Sequence, residues 1–490
     1  MGIMRFCVHP PQRLTERMVQ LAYLMSGEHS AWPAQVTIKR GELIFTRTVS
    51  DSARLCAPWP VGGYGEIMLS TGSLIEQTEP YYLPLELARG TLARLRNQLS
   101  DWEVLGLIVP EEVKSRLALA VEHFSWASVE RASPEASSAN VDQALRLALE
   151  AGDLLAAAYC EQAIAVRRRN HSAPFILAAD LGDSVLEGRS AHFFLAAFNA
   201  AVVSLCWRET ESTEGNFTWK LNDRQIEWSR SQGLKVMAGP LLLLDQRDLP
   251  DWLYLFEGDF ESILDSTAAF VQSAVRRYKG RVDYWICAGR MNAAELLSLN
   301  EEQRLRLTAQ TIEAAHAIDP HTPLLLSVDR PCGEYLRDGH AELTPVQFAD
   351  VLASSGLPLG GVIVELNLAY YPGGTLLREV IALNRQLDAW ATLGLPVWLS
   401  ICIPSGIQPC PLTRRKSAVL DDRWTPLRQR TWAERLISLA LAKNYVQGVI
   451  WNQLSDGRPH DFPNGGLLDS ADQPKPVLSA LAGLRRFVSA

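Results

Sequence analysis

From His171 onward, short apolar runs alternate with longer amphipathic stretches, and this alternation restricts the fold more than any other feature of the chain. A buried apolar run followed by a helix-length segment is the pattern of a parallel βα unit, because parallel strands need a crossover and have both sheet faces covered. The runs fall at Phe175 to Ala179, Ala201 to Cys206, Lys235 to Leu243, Tyr284 to Ala288, Pro323 to Val328, Gly361 to Glu365, Pro396 to Ile401 and Gly448 to Trp451. Eight units predict an α/β fold, a (β/α)8 TIM barrel over residues 173–490, where about 250 residues are typical. An open doubly wound sheet is the competing arrangement, but no GxGxxG or P-loop opens a helix here.

The first 84 residues follow a different period. Alternation such as Gln35-Val36-Thr37-Ile38 marks half-buried strands, expected at Arg5 to Val8, Val19 to Leu24, Ala34 to Ile38, Leu43 to Val49 and Gly65 to Leu69. They predict an N-terminal β-sandwich-like domain over 1–84. Residues 85–172 read as a helical connecting segment, with helices from Leu85, from Pro110 to Val129 and from Asn140 to Arg168, and with Ser133 to Ser138 helix-poor. A polar linker is expected around Arg167 to Ala173.

Composition excludes several classes. A net charge of −8 leaves no concentrated positive surface for nucleic acid or an anionic membrane. No apolar stretch approaches the ~20 residues that span a bilayer. The start, MGIMRFCVHPPQRL, has no charged region followed by an apolar core, so a cytoplasmic protein is expected. Eight cysteines without CxxC spacing fit a reduced compartment. Cys206, Cys287, Cys332 and Cys402 fall near strand ends, where convergence would make a zinc site. Free cysteine behaves as a small buried hydrophobe more often than as a ligand, so neither metal nor cofactor is expected.

Five segments carry more than a fold-level pattern. Trp207, Glu211, Gly215 and Phe217 fit KWxxxExxxGxF on the second strand, and Asp223 with Trp228 leads into Gly233-Leu234-Lys235-Val236. Leu249-Pro250-Asp251-Trp252 fits LPxW, Gly448 to Asp456 fits an eighth-strand GitvWglsD, and Leu467-Leu468-Asp469 with Gln473-Pro474-Lys475-Pro476 fits a closing LfD...qpKP. Together, in order, they resemble the barrel of family 10 glycoside hydrolases, the xylanase family. The resemblance implies a retaining mechanism, with an acid after strand four in WDVVNE and a nucleophile on strand seven in piwiTE. Here those segments read Trp285-Ile286-Cys287-Ala288-Gly289-Arg290 and Pro396-Val397-Trp398-Leu399-Ser400-Ile401, so Arg290 and Ile401 stand at the two catalytic positions. Arginine stays protonated and delivers no proton near neutral pH, and isoleucine cannot attack.

The expectation is a non-catalytic, degenerate barrel: a carbohydrate-binding or scaffolding pseudoenzyme whose partner is an oligosaccharide or another small polar ligand. Trp207, Trp451, Arg290, Asn367 and Asp329 are its candidate ligand-binding residues, and the loop Tyr370-Tyr371-Pro372-Gly373-Gly374 a candidate aromatic rim. Among the other polar residues near strand ends are Asp180, Arg208 and Arg330. The alternative is an active hydrolase with relocated carboxylates, for which Glu365, Glu209, Glu211 and Asp456 are candidates. A structural assembly protein is the third possibility. Arg290, a permanent cation at the end of strand four, demands a neutralising partner if buried, with Glu365 or Asp329 as candidates.

Overall fold

The structure, a computed structural model, describes residues 2–26, 30–129, 134–169, 175–336 and 342–489. Residues 170–173 of the expected linker and Ser133 lie outside the described residues. The chain forms two compact units, Met1–Asn170 with Leu376–Leu387, and His171–Thr375 with Asp388–Ala490.

The first unit contains two four-stranded sheets. One orders Gln35–Lys39, Glu42–Arg47, Gly2–Cys7 and Tyr81–Tyr82; the other orders Ala31–Trp32, Tyr23–Met25, Arg54–Val61 and Gly65–Ser70. Alternation does the expected work, burying Met4, Phe6, Leu43 and Phe45. The expected strand Val19 to Leu24 is instead a short helix, Glu16–Leu21, followed by the strand Tyr23–Met25. The Thr15 side chain accepts from the Met18 backbone N–H and fixes that helix start. Arg54–Val61 was not expected, because it holds Pro58 and Pro60. Both prolines fit because Tyr23–Met25 pairs only with Arg54 to Cys56, leaving that side of the strand open beyond.

Three helices follow, Leu83–Val104, Glu111–Val129 and Pro134–Arg169. The stretch expected to be helix-poor is helical from Pro134, since proline at a first turn removes an N–H that has no partner there. Leu92, Leu95, Trp102, Val113, Ala120, Ala151 and Leu155 share a core with Val380 and Ile381 of the returning segment, and Trp102 stacks on Tyr159 at 4.1 Å. Buried Arg94 pairs with Glu379 at 3.0 Å, tying that segment into the unit by charge as well as by apolar contact.

In the second unit eight parallel strands close into a barrel: Ile176–Asp180, Ala200–Val203, Lys235–Ala238, Tyr284–Gly289, Leu324–Val328, Leu359–Asn367, Val397–Cys402 and Val446–Trp451. Pairing of the eighth strand with the first completes the ring. Its interior is a packed layer of Ile176, Ala178, Val202, Met237, Ile286, Leu325, Ile363, Trp398 and Ile450. Trp398 is by far the largest of these, and glycines on both neighbouring strands make room for it. A Cβ on Gly361 or Gly448 would strike the indole. Among the described residues no helix is long and apolar enough to cross a membrane.

Candidate functional site

At the C-terminal ends of the barrel strands lies a pocket of about 590 Å³. Every strand delivers a residue to its wall: Asp180, Ser204, Gly239, Arg290, Ser327, Glu365, Ser400 and Asn452, in strand order. This follows from the two-residue period, since the inward face of the barrel core continues upward into the pocket.

Arg290 organises the floor. Its backbone is left-handed (φ 58°), and its amide N–H donates to the Ser327 carbonyl at 3.0 Å. The guanidinium donates through Nε to Glu365 at 2.8 Å and through Nη1 to Asp461 at 3.0 Å. Glu365 also accepts from the Ser327 hydroxyl at 2.9 Å. Asp461 accepts in addition from Arg247 at 3.0 Å and pairs with Arg415 at 3.2 Å, while Arg247 reaches both oxygens of Asp245 at 2.8 Å. The expected pairing of Arg290 with Glu365 is thus present, and Asp461 is a second partner that the sequence did not suggest. Asp329, the other candidate, pairs with Arg330 at 3.6 Å, and its main chain is held by Asn292, away from the pocket wall.

Asp248 and Asp180 are wall carboxyls without an ion-pair partner among the described residues. Burial, with Asp245 and Asp461 nearby, pushes the Asp248 carboxyl up to about 6. Burial also raises Asp180, although the Gly182 N–H and the Ser204 hydroxyl donate to it. Asp461 moves the other way. Burial alone would raise it, but Arg415, Arg290 and Arg247 together hold it below the usual carboxylate range.

Several expected site residues serve the scaffold instead. The Trp207 indole N–H donates to Glu211 at 2.7 Å, Glu211 also accepts the Gly215 N–H, and Trp207 stacks on Phe270. Trp451 is buried and donates to the Gly465 carbonyl. Asp456 holds Lys475 and the Gly466 N–H, and Arg208 pairs with Asp251. Asn367 is fully buried and accepts from Asn452 at 2.6 Å. None of these six lines the pocket, whereas Glu209 does. Tyr370 is no aromatic rim, being buried with its hydroxyl on the Pro463 carbonyl.

Ile401 also needs correction. With Trp398 in the barrel interior and Ser400 in the pocket wall, alternation turns Ile401 away from the pocket, so the inward residue on strand seven is Ser400. The strand reads VWLSIC and carries no carboxylate in either register. The four strand-end cysteines form no metal cluster, and among the described residues no group of three or more His, Cys, Asp or Glu is placed to hold an ion. Sequence reasoning missed Arg247, Asp248, Arg415 and Asp461, all on loops without periodic pattern.

A closed (β/α)8 barrel with a pocket at its strand C-termini is the architecture of the barrel enzymes, and within that class the likeness is to glycoside hydrolases. The glycosyl hydrolase family 10 model matches residues 174–288, so the barrel is family 10-like. Similar solved structures include an endoxylanase of that family retrieved from a sugarcane soil metagenome, at 18% identity over 64% of this chain and 97% of that one (TM-score 0.49). Others are xylanase B from Clostridium stercorarium F9, at 17% over 65% and 98% (0.49), and xylanase 10B from Thermotoga petrophila RKU-1 in complex with xylobiose, at 16% over 67% and 96% (0.48). The family match ends at Ala288, two residues before Arg290.

Proposed function

We propose that the barrel is a non-hydrolysing, glycosidase-like unit whose pocket holds an oligosaccharide or a similar small polar ligand. The observation that carries this reading is the placement of Arg290 between Glu365 and Asp461, at the strand-four end where a retaining hydrolase needs its acid. Retention requires a proton-bearing carboxyl and a nucleophilic carboxylate about 5 to 5.5 Å apart. Here the first position is a cation and strand seven offers only Ser400. The wall suits hydroxyl-rich ligands, since Ser204, Ser327, Ser400, Asn452 and Gln453 both donate and accept. Asn452 Oδ1 is buried without a hydrogen-bond partner among the described residues, an acceptor available to a ligand hydroxyl.

The test combines a hydrolysis screen over xylan and aryl glycosides with calorimetric titration of xylo-oligosaccharides and other neutral glycans. No turnover is expected, together with binding that Asn452→Ala weakens. Turnover would overturn the reading.

One observation favours a second reading, hydrolysis by relocated carboxylates. Asp248 and Asp461 share the pocket with their proton affinities pushed apart, as an acid and its ionised partner require. Turnover abolished by Asp248→Asn would establish that alternative.

A further inference from the structure

Beside the arginine network, the loops after strands seven and eight bring a thiol, an imidazole and a carbonyl together. Cys410 Sγ lies 3.1 Å from Nε2 of His460, and Nδ1 of His460 lies 2.6 Å from the Arg458 carbonyl oxygen. A carbonyl only accepts, so Nδ1 carries the proton and Nε2 presents its lone pair toward the sulfur. The backbone fixes this arrangement: the Arg414 N–H donates to the His460 carbonyl at 2.8 Å, and the His460 N–H donates to Leu412 at 3.2 Å. Nucleophile, base and a group that orients the base are the three parts of an activated-nucleophile site.

Position and competition single out this thiol. His460 is buried and lines the pocket, as does exposed Arg414, while Cys410 is half-buried against His460. Cys56, Cys160, Cys287, Cys332 and Cys402 are buried, leaving Cys7 and Cys206 as the other half-buried thiols. Burial raises both of those, with a further push from Glu42 on Cys7, and from Asp248 on Cys206, which reaches about 12. Thr413 Oγ1 also lies 3.0 Å from His460 Nε2 and competes for the same lone pair.

We propose that Cys410 is a histidine-assisted nucleophile that undergoes reversible exchange with a low-molecular-weight disulfide. His460 Nε2 takes the thiol proton, and the Cys410 sulfur attacks one sulfur of the disulfide. The original S–S bond breaks as the new one forms, and the leaving thiolate recovers the proton from the imidazolium. Cys410 is oxidised to a mixed disulfide while half of the reagent is reduced to a thiol.

The experiment treats the full chain with 2-hydroxyethyl disulfide near neutral pH and follows adducts by intact mass and peptide mapping. The first adduct is expected on Cys410. His460→Gln should slow it by about 100-fold, the lower end of what a positioned base supplies. Thr413→Val should speed it by freeing the Nε2 lone pair. Prior modification of Cys7 or Cys206, or equal rates in a folded His460→Gln chain, would overturn the proposal. Should His460→Gln unfold, an unchanged rate in Thr413→Val overturns it on its own.

Discussion

The Arg290 guanidinium lies 2.8 Å from the Glu365 carboxylate, both side chains largely buried, so each sets the conditions under which the other can be changed. Arg290→Met removes a cation shared with Asp461 and leaves the buried Glu365 carboxylate without its ion-pair partner, an expected loss of about 3–5 kcal/mol. Glu365→Gln should cost less, because Arg290 keeps Asp461. The double variant should lie well above the sum of the two losses, yet below the parent, since Asp461 retains only Arg247 and Arg415. Urea midpoints for all three decide this; strictly additive losses would show that the residues do not interact.

Asp248 and Asp461 should respond to pH with opposite sign. The folded state binds the Asp248 proton more tightly than the unfolded chain does, so that contribution is full below about pH 4 and is lost as pH rises through about 6. Asp248→Asn should therefore stabilise the protein above pH 6, by at most about 3 kcal/mol, and change little below pH 4. Asp461 is held low, so its contribution is present above the unfolded carboxylate value and fades as pH falls through the folded one. Asp461→Asn should destabilise near neutrality, with a deficit that shrinks in acid. Melting temperatures across pH check both, and a pH-independent Asp248→Asn difference would refute the first.

Gly361→Ala should cost about 1–3 kcal/mol by forcing the Trp398 indole out of its place in the barrel layer. Adding Trp398→Leu should recover only part of this, because the Pro396 carbonyl still lies 2.7 Å from the new methyl. Chemical denaturation of the single and double variants measures it, and full stability in Gly361→Ala would show that the layer repacks freely.

The eight strands were legible because each is a short apolar run bounded by polar helix, and the structure places all eight within a few residues of the expected positions. The pairing of Arg290 with Glu365 followed from the family resemblance and barrel order, which put both at strand ends approaching one centre. The resemblance also named Ile401, whereas alternation along strand seven makes Ser400 its pocket-facing residue. Glu211 and Asp456 were read as candidate acids, but their hydrogen bonds to Gly215 and Gly466 hold loops. Asp461, Arg247 and Arg415 left no trace because a loop has no period, and only the folded chain brings residues 245, 290, 415 and 461 together.

A loop aspartate that gathers three arginines also limits what the barrel can become. Glutamate at position 290 would place a third acid beside Glu365 and Asp461 while removing the cation they share. Like charges at that range suppress one another's ionisation and work against the folded state. Strand seven would still lack a carboxylate. An acid at 290 therefore does not by itself complete a retaining pair. Position 290 would take an acid at lower cost once Glu365 had become neutral, so the two positions constrain each other's sequence as well as each other's charge.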